Sequence, residues 1–516
     1  MRMINWTILP LLSILGTVRL SAQCPDGSAP PCAHAVAPRG PPIDARPSLT
    51  VLYLENASPD SSDVALADGI TEEVITRLSQ VSGLRVASRY AALRYRGRHP
   101  LDPRLAGREL GVRFVLQGTL RRSADRVRVQ VAVTEVATGF NAWAQSYDQP
   151  LRDVFVMQDS VAVQVAEAVR GRLTRRERSR LAPAPATNPA AYQAYLRGRI
   201  VFRARNGLSA AEGIDQYRRA IALDSGFGRA YAGLAQAYSQ ARLQGWEIPG
   251  TPQDSLDQLG RRAAAHALAQ DSTSSEAWLA MAAAERFLDA PRALDYYQRA
   301  VRLDSSNVEA LQQLGGALTA LGMLDSALAV ERSATVRDPF YAASYYFAAS
   351  GLNSAGRPLE ALTWAAQGIA VDSTFGVLER QRADAYLQLG RSNEARAAAE
   401  RAISFGQTPA PMRAFIAIAD IRQGDTVAGL RELESAAQVL RDRLPGSASG
   451  LSFLLTFPIA GAYAQLGQAD SAIVWLQRIA PGQRRFFGGS YLSHHWMWNP
   501  LRSDPRFQAL LEDSRP

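Results

Sequence analysis

Four glycines, Gly322, Gly356, Gly390 and Gly424, stand 34 residues apart. Other small residues keep the same step: Gly315, Ala349, Ala383 and Ala417; Ala327, Ala361, Ala395 and Gly429; Ala334, Gly368, Ala402 and Ala436. No member of any set is missing, which chance use of two common residues does not produce. A period of this length marks one supersecondary unit repeated, each too small to bury its apolar face alone. Small residues at fixed places permit close helix crossings, and Leu311, Leu314, Leu318, Tyr345 and Tyr386 supply bulk between them. Such units bury a continuous core through nearest-neighbour contacts.

The step is that of a tetratricopeptide helix–turn–helix array. Earlier stretches fit with adjustments: "AYLRGRIVFRARNGLSAAEGIDQYRRAIALDS" is slightly longer between its helices, and the next repeat is interrupted near "QGWEIPGTPQD". "EAWLAMAAAERFLDAPRALDYYQRAVRLDS" carries Trp278 at the tetratricopeptide aromatic position. With a degenerate unit at "PIAGAYAQLGQADSAIVWLQRIA", about eight repeats are expected over residues 188–480, forming an all-α solenoid. Residues 481–516 are expected to cap its end. His494, His495, Trp496 and Trp498 in that tail lack a third histidine or a cysteine nearby, so they read as aromatic packing rather than a metal site.

Upstream, residues 48–182 carry other periods. "LTVLYLEN" is a buried-strand run, and "LADGITEEVITRLSQ" has helical spacing at Ile70, Val74, Ile75 and Leu78. Asp68 suits an N-cap, and Glu72 and Glu73 then fall in the first turns, where the helix dipole favours negative charge. No histidine or cysteine stands near to make these carboxylates an acid–base site. "RVRVQVAVTEV" alternates strictly, with Val127, Val129, Val131 and Val133 on one face. Turn residues on either side predict an antiparallel three-strand meander, and "VFVMQDSVAVQVAEAVRGRL" closes the segment as an amphipathic helix. An α/β domain with a mixed sheet and flanking helices is expected, able to fold alone.

The stretches "LADGITEEVITRLSQVSGLRVASR", "ELGVRFVLQGTLRRSADRVRVQVAVTEVATG" and "AWAQSYD" carry a resemblance. Residues 48–173 resemble the TolB amino-terminal-like domain, related to FlgO, of bacterial signalling proteins. There it commonly follows a kinase, cyclase or winged-helix domain and precedes helical repeats. The 47 residues before it here are few for such an effector, so those activities are not expected to carry over.

The leader "MRMINWTILPLLSILGTVRLSAQ" has a basic start, an apolar run and small residues at Ser21 and Ala22, the layout of a secretory signal peptide over residues 1–22. Its apolar run spans about 22 Å as a helix, short of the roughly 30 Å hydrocarbon core, so an uncleaved anchor is the weaker reading, and Gln23 before Cys24, where a small residue is wanted, makes a lipoprotein the weaker reading too. Residues 23–47 follow as a Pro-rich linker, where Cys24 and Cys32 either close a small disulfide loop or stay idle thiols. A periplasmic or secreted protein of a Gram-negative-type bacterium is expected. Among 516 residues the net charge of +9 is carried by arginine with no lysine at all. That excludes a Walker A loop, a kinase strand lysine and a Schiff base. "RGRLTRRERSR" reads as a solvated helix end rather than a nucleic-acid patch.

No catalytic motif, metal set or cofactor fingerprint is present, which predicts an exported, non-enzymatic protein–protein interaction scaffold without cofactor. Two alternatives stay open: a sensory or accessory component of a kinase, cyclase or transcriptional regulator system, and an envelope hydrolase with an unfamiliar site. The tetratricopeptide resemblance implies a concave face lined by the first helix of each repeat. Its ligand positions map onto Gln236, Ser239, Arg286, Gln312, Thr319, Tyr346, Ser350, Asn353, Arg380 and Asp384. That polar set suits an extended peptide held by side-chain hydrogen bonds and a guanidinium–carboxylate pair; the competing reading is plain solvated helix surface. The partner is expected to be a protein or peptide, not nucleic acid, with no stable membrane span after signal cleavage.

Overall fold

The computed structural model describes residues 47–514 except 61–62, 80, 82, 99–100, 181–187, 203–206, 306 and 443–451. The expected signal peptide and Cys24 and Cys32 lie outside the described residues, as does most of the boundary near residue 183.

The first part runs β1 (Ser48–Val51), β2 (Glu55–Asn56), α1 (Val64–Ser79), β3 (Arg85–Val86), α2 (Arg89–Leu93), α3 (Pro103–Leu110), β4 (Phe114–Ser123), β5 (Arg126–Glu135), β6 (Asn141–Pro150), α4 (Val154–Arg170) and α5 (Arg175–Arg180). The sheet is mixed, in the order β3-β1-β4-β5-β6, with β2 also on β4. β1 is parallel to β3 and β4, while β4, β5 and β6 form an antiparallel meander. The alternation in β5 explains its placing. Its valines are buried, and Arg126, Arg128 and Gln130 face solvent. α3 is delimited by local chemistry, because Asp102 accepts the Arg104 N–H at 2.9 Å and Gly111 ends it at φ 63°.

One expectation is corrected here. α1 starts at Val64, so Asp68 is inside the helix rather than capping it, and Glu72 and Glu73 are in its middle. The apolar stripe continues upstream through buried Leu66 and Ala67, which draws the helix start back along the chain.

Mostly helical structure follows. Among the described residues the pairs are α6 (Pro189–Phe202) with α7 (Gly207–Leu223), α8 (Gly228–Gln244) with α9 (Leu256–Gln270), and α10 (Ser275–Glu285) with α11 (Ala290–Leu303). Next come α12 (Val308–Ala320) with α13 (Leu324–Arg337), α14 (Ala342–Ser354) with α15 (Pro358–Val371), and α16 (Gly376–Gln388) with α17 (Ser392–Ser404). The last are α18 (Pro409–Arg422) with α19 (Thr426–Asp442), and α20 (Phe453–Gln465) with α21 (Ala469–Gln477). The periodic glycines turn the chain within four of these pairs. Gly322, Gly356, Gly390 and Gly424 have φ of 80°, 70°, 73° and 92°, where a side chain would be strained. The other small residues mark crossings, and a Cβ on Gly315 would fall 2.1 Å from Glu331 Oε1.

The sheet part and the helix pairs are docked on each other twice. α1 crosses α6 so closely that a Cβ on Gly69 would lie 2.4 Å from Leu196 Cδ1. From α2, Tyr90 stacks on Tyr341 at 4.0 Å, and Arg89 pairs with Glu309 on α12 at 2.6 Å. The chain ends with α22 (Pro481–Phe487), a π-type turn over Gly488–Leu492, a 3-10 turn over Trp496–Leu501, and α23 (Pro505–Glu512). The C-terminal part of the chain, from Ser452 on, does more than cover an end. Ser452 donates to the Leu243 carbonyl at 2.6 Å, Gln483 to the Arg242 carbonyl at 3.1 Å, and Phe287 meets Phe486 at 5.6 Å. The last helices therefore close back onto α8 and the end of α10.

Candidate functional site

Two places concentrate polar chemistry. The first is the carboxylate row of α1. Helical spacing puts Asp68, Glu72 and Glu73 on neighbouring turns, each buried and each facing a guanidinium. Arg96 reaches Asp68 at 2.8 Å and Arg199 of α6 reaches Glu72 at 2.7 Å, where the Tyr53 hydroxyl also donates at 2.8 Å. Glu73 is held by Arg77 at 3.0 Å and by Arg229 of α8 at 2.7 Å, while Arg77 also meets Asp159 at 2.5 Å. Burial pushes the Glu73 carboxyl up, but Arg229 and Arg77 outweigh it and hold it at about 2. For Asp159 burial wins, helped by the nearby Glu73 charge and opposed by Arg77, and its carboxyl sits at about 6. The Glu72–Arg199 and Glu73–Arg229 pairs join the sheet part to α6 and α8, while Asp68–Arg96 and Arg77–Asp159 lie within the sheet part.

The second place is the set of concave positions. Gln236 is half-buried on α8. Ser239 is buried, and its carbonyl accepts from Arg286 Nη2 at 2.7 Å; Arg286 is itself buried, its guanidinium 4.9 Å from the Phe287 ring centroid. Gln312 is buried and accepts from the Tyr341 hydroxyl at 3.3 Å, and Thr319, two turns further along α12, is buried as well. Asn353, also buried, donates to the Gln381 carbonyl at 2.9 Å. These six are spread along the array and mostly serve packing within it.

The other four converge. Arg380 donates to the Tyr346 hydroxyl at 2.7 Å, and both are half-buried. Buried Ser350 shares a hydrogen bond of 2.6 Å with the Tyr491 hydroxyl, and buried Asp384 accepts from His495 Nε2 at 2.9 Å and Trp496 Nε1 at 2.7 Å. A small cleft, with room of about 30 Å³, lies among Ser350, Arg380, Asp384, Phe415, Phe457 and His495. Burial pushes the Asp384 carboxyl up, yet the donors from His495, Trp496 and Gln388 hold it below the usual range. His495 Nδ1 also lies 3.4 Å from the Met497 N–H, so both ring nitrogens are engaged within the protein. Neither ring nitrogen is left for a substrate. His494, by contrast, is exposed.

Sequence reasoning missed Phe453, Phe457, Tyr491 and His495 as cleft walls, because nothing local shows where a tail docks. The aromatic density of the tail was the only available signal. Among the described residues, no group of three or more histidine, cysteine, aspartate or glutamate residues is placed to hold a metal ion. No described helix is long and apolar enough to cross a membrane.

A family model for the tetratricopeptide repeat matches residues 381–405, a span that begins in α16 and contains Asp384. Putative adenylate cyclase 3 of Rhizobium meliloti (strain 1021) is 38% identical over 218 residues, 42% of this chain and 37% of that protein. The chain thus spans little more than a third of that relative's length. Among solved structures, YrrB, described as a TPR protein with an unusual peptide-binding site, is 22% identical, with 37% of this chain and 89% of that one covered and a TM-score of 0.26. A tetratricopeptide repeat protein from Parabacteroides merdae ATCC 43184 is 15% identical, with 49% and 93% covered and a TM-score of 0.35. A tetratricopeptide repeat is therefore present, beside a small mixed sheet in a mostly helical chain. The expectation of a protein without enzymatic activity is overturned by the likeness to a protein named as a cyclase.

Proposed function

We propose that this chain is a protein-interaction scaffold of a bacterial signalling system. In this reading a TolB-like domain over residues 48–182 is docked on a tetratricopeptide solenoid over residues 188–480, with the tail 481–516 folded against it. The observation that carries the reading is the repeated helix pair, with the family match falling on the segment that holds Asp384. The partner surface is the cleft at Tyr346, Arg380 and Asp384, where a half-buried guanidinium and aromatic walls suit a protein segment with polar and apolar side chains. The remaining concave positions, Gln236, Ser239, Arg286, Gln312, Thr319 and Asn353, support this face from within.

The test is a pull-down followed by titration of the captured partner. Arg380→Ala combined with Tyr346→Ala is expected to weaken binding tenfold or more, since a charge-assisted hydrogen bond contributes about 1.5–3 kcal/mol. Melting temperature should hardly move, because both side chains are half-buried and chiefly hold each other. Unaltered affinity would place the partner elsewhere, first on the sheet part.

The likeness to a putative cyclase favours a second reading, in which the chain serves a cyclase pathway. Formation of cyclic AMP from ATP by the purified chain would make it the catalyst there. Co-purification with a separate cyclase, without turnover by the chain alone, would make it an accessory. Export to the periplasm or beyond is part of the proposal and rests on the leader. Protein made in a Gram-negative host should begin near Gln23, and recovery of Met1 on cytoplasmic protein would defeat it.

A further inference from the structure

The two edges of the sheet are unlike. β3 at one edge is 2 residues long, whereas β6 at the other runs for 10 and has no strand beyond it among the described residues. The Leu151 N–H meets the Asp125 carbonyl at 2.6 Å, which sets the phase of the β5–β6 ladder. Hydrogen bonding alternates along an antiparallel pair, so Trp143, Gln145, Tyr147 and Gln149 bond inward to β5. Ala144, Ser146 and Asp148 then turn their N–H and C=O groups outward, and all three are exposed. Edge strands are ordinarily blunted by charge, proline or shortness. Here proline comes only at Pro150, and the one charged side chain of β6, Asp148, is neutralised by Arg126 at 2.8 Å and Arg128 at 2.7 Å. Ala142, Ala144 and Ser146 add no bulk. Just before the strand Phe140 is 78% exposed, and Val156 on α4, the helix that packs on β6, is 56% exposed.

We propose that β6 pairs with β6 of a second copy of this chain, antiparallel about a two-fold axis at Gln145, so that two sheets become one. The strand is self-complementary in that register. Ala144 stands opposite Ser146 of the second copy, and their outward N–H and C=O groups satisfy each other on both sides of the axis. Trp143 stands opposite Tyr147 of the second copy, an aromatic cross-strand pair that the symmetry repeats. Phe140 comes opposite Pro150 of the second copy, which covers its exposed ring. Asp148 falls opposite Ala142 of the second copy, clear of its own mate. Centring the pair on Asp148 instead sets two carboxylates face to face, and centring it on Ser146 leaves Trp143 opposite Gln149 and Phe140 opposite Arg152. One strand pair with its rim lies at the small end of specific interfaces, which predicts a dissociation constant of about 1–10 µM. Nothing in this pairing depends on the cleft near Asp384.

Sedimentation of the full-length chain over roughly 0.5–100 µM should show a monomer giving way to a dimer. Ala144→Pro removes an outward N–H and sets a ring against the incoming strand, while the ladder to β5 keeps all its donors. It is expected to weaken the dimer by roughly a hundredfold or more, with far-UV circular dichroism and the melting temperature of the dilute chain unchanged. Register is tested with Gln145→Cys in a chain that also carries Cys24→Ala and Cys32→Ala. Gln145 meets its own mate in a non-hydrogen-bonded pair, where Cα atoms lie about 4.5 Å apart, within reach of a disulfide. Mild oxidation should link that dimer covalently and should not link Gln149→Cys in the same background. A chain that stays monomeric at about 100 µM overturns the proposal, as does a dimer that Ala144→Pro leaves equally strong. Cross-linking through Gln149→Cys but not Gln145→Cys overturns it too. A monomeric chain that captures another protein, and loses it on Ala144→Pro, replaces the second copy with a partner's strand and defeats the self-pairing.

Discussion

Replacing Glu73 by alanine is expected to cost about 3–5 kcal/mol of unfolding free energy, the range for removing one partner of a buried ion pair. Glu73 is 4% exposed and lies between Arg77 and Arg229. Its removal leaves Arg229, which comes from a helix 156 residues away, without that carboxylate. Arg77 keeps Asp159, so the loss falls mainly on the joint with α8. Glu73→Leu with Arg229→Leu should be far less damaging than Glu73→Ala alone, because two apolar side chains need no counter-charge. The sign of the pH dependence follows from the two carboxyls. Glu73, held at about 2, contributes stability that is present above its ordinary 4.5 and fades as pH falls toward about 2. Asp159, raised to about 6, contributes in the opposite sense: its share is full below 3.8 and is lost as pH rises through about 6. Urea unfolding across pH 3–8 should therefore show a broad maximum at about pH 4–5 from this network, and Glu73→Ala should remove its acid limb. An unchanged acid limb would mean that other carboxyls govern it.

Trp498→Ala is expected to cost a similar amount, about 3–5 kcal/mol, through the cavity it opens in the C-terminal aromatic core. Trp498 is 0% exposed, and its Nε1 donates to the Tyr491 carbonyl at 2.8 Å, so truncation also leaves a backbone acceptor unpaired. His494→Ala, four positions earlier in the same aromatic run, should stay within about 0.5 kcal/mol because His494 is exposed. Far-UV circular dichroism in urea compares the two without relying on tryptophan emission. Equal effects would mean the tail is not packed as described.

How much of this was legible depended on the range over which each residue acts. The helix pairs could be read from Gly322, Gly356, Gly390 and Gly424 because a left-handed turn and a close crossing impose residue type locally. β5 could be read because alternation reports the two faces of one strand. Asp68, Glu72 and Glu73 were misplaced for the opposite reason. Capping is a local explanation, whereas Arg199 and Arg229 lie on α6 and α8, 127 and 156 residues from Glu72 and Glu73. The concave register was read as a peptide groove or as solvated helix surface, and Ser350 and Asp384 in it are covered instead by the chain's own end. That cover depends on where a distant segment docks, and Asp384 carries no sign that His495, 111 residues on, will reach it.

The closure of the last helices onto α8 and the end of α10 makes the number of repeats a fixed dimension of the molecule. An open array can gain or lose a unit by duplication and suffer only at the junction. Here an added unit would shift everything after it by about two helix spacings of roughly 8–10 Å each, and Ser452 would no longer find Leu243. The same contact ties residues 209 apart in sequence. Its entropic cost grows only slowly with loop length, but the wait for the two ends to meet lengthens folding. Tandem duplication, a route by which repeat proteins diversify, would thus break this closure, and the array is expected to change by substitution rather than by gain or loss of units.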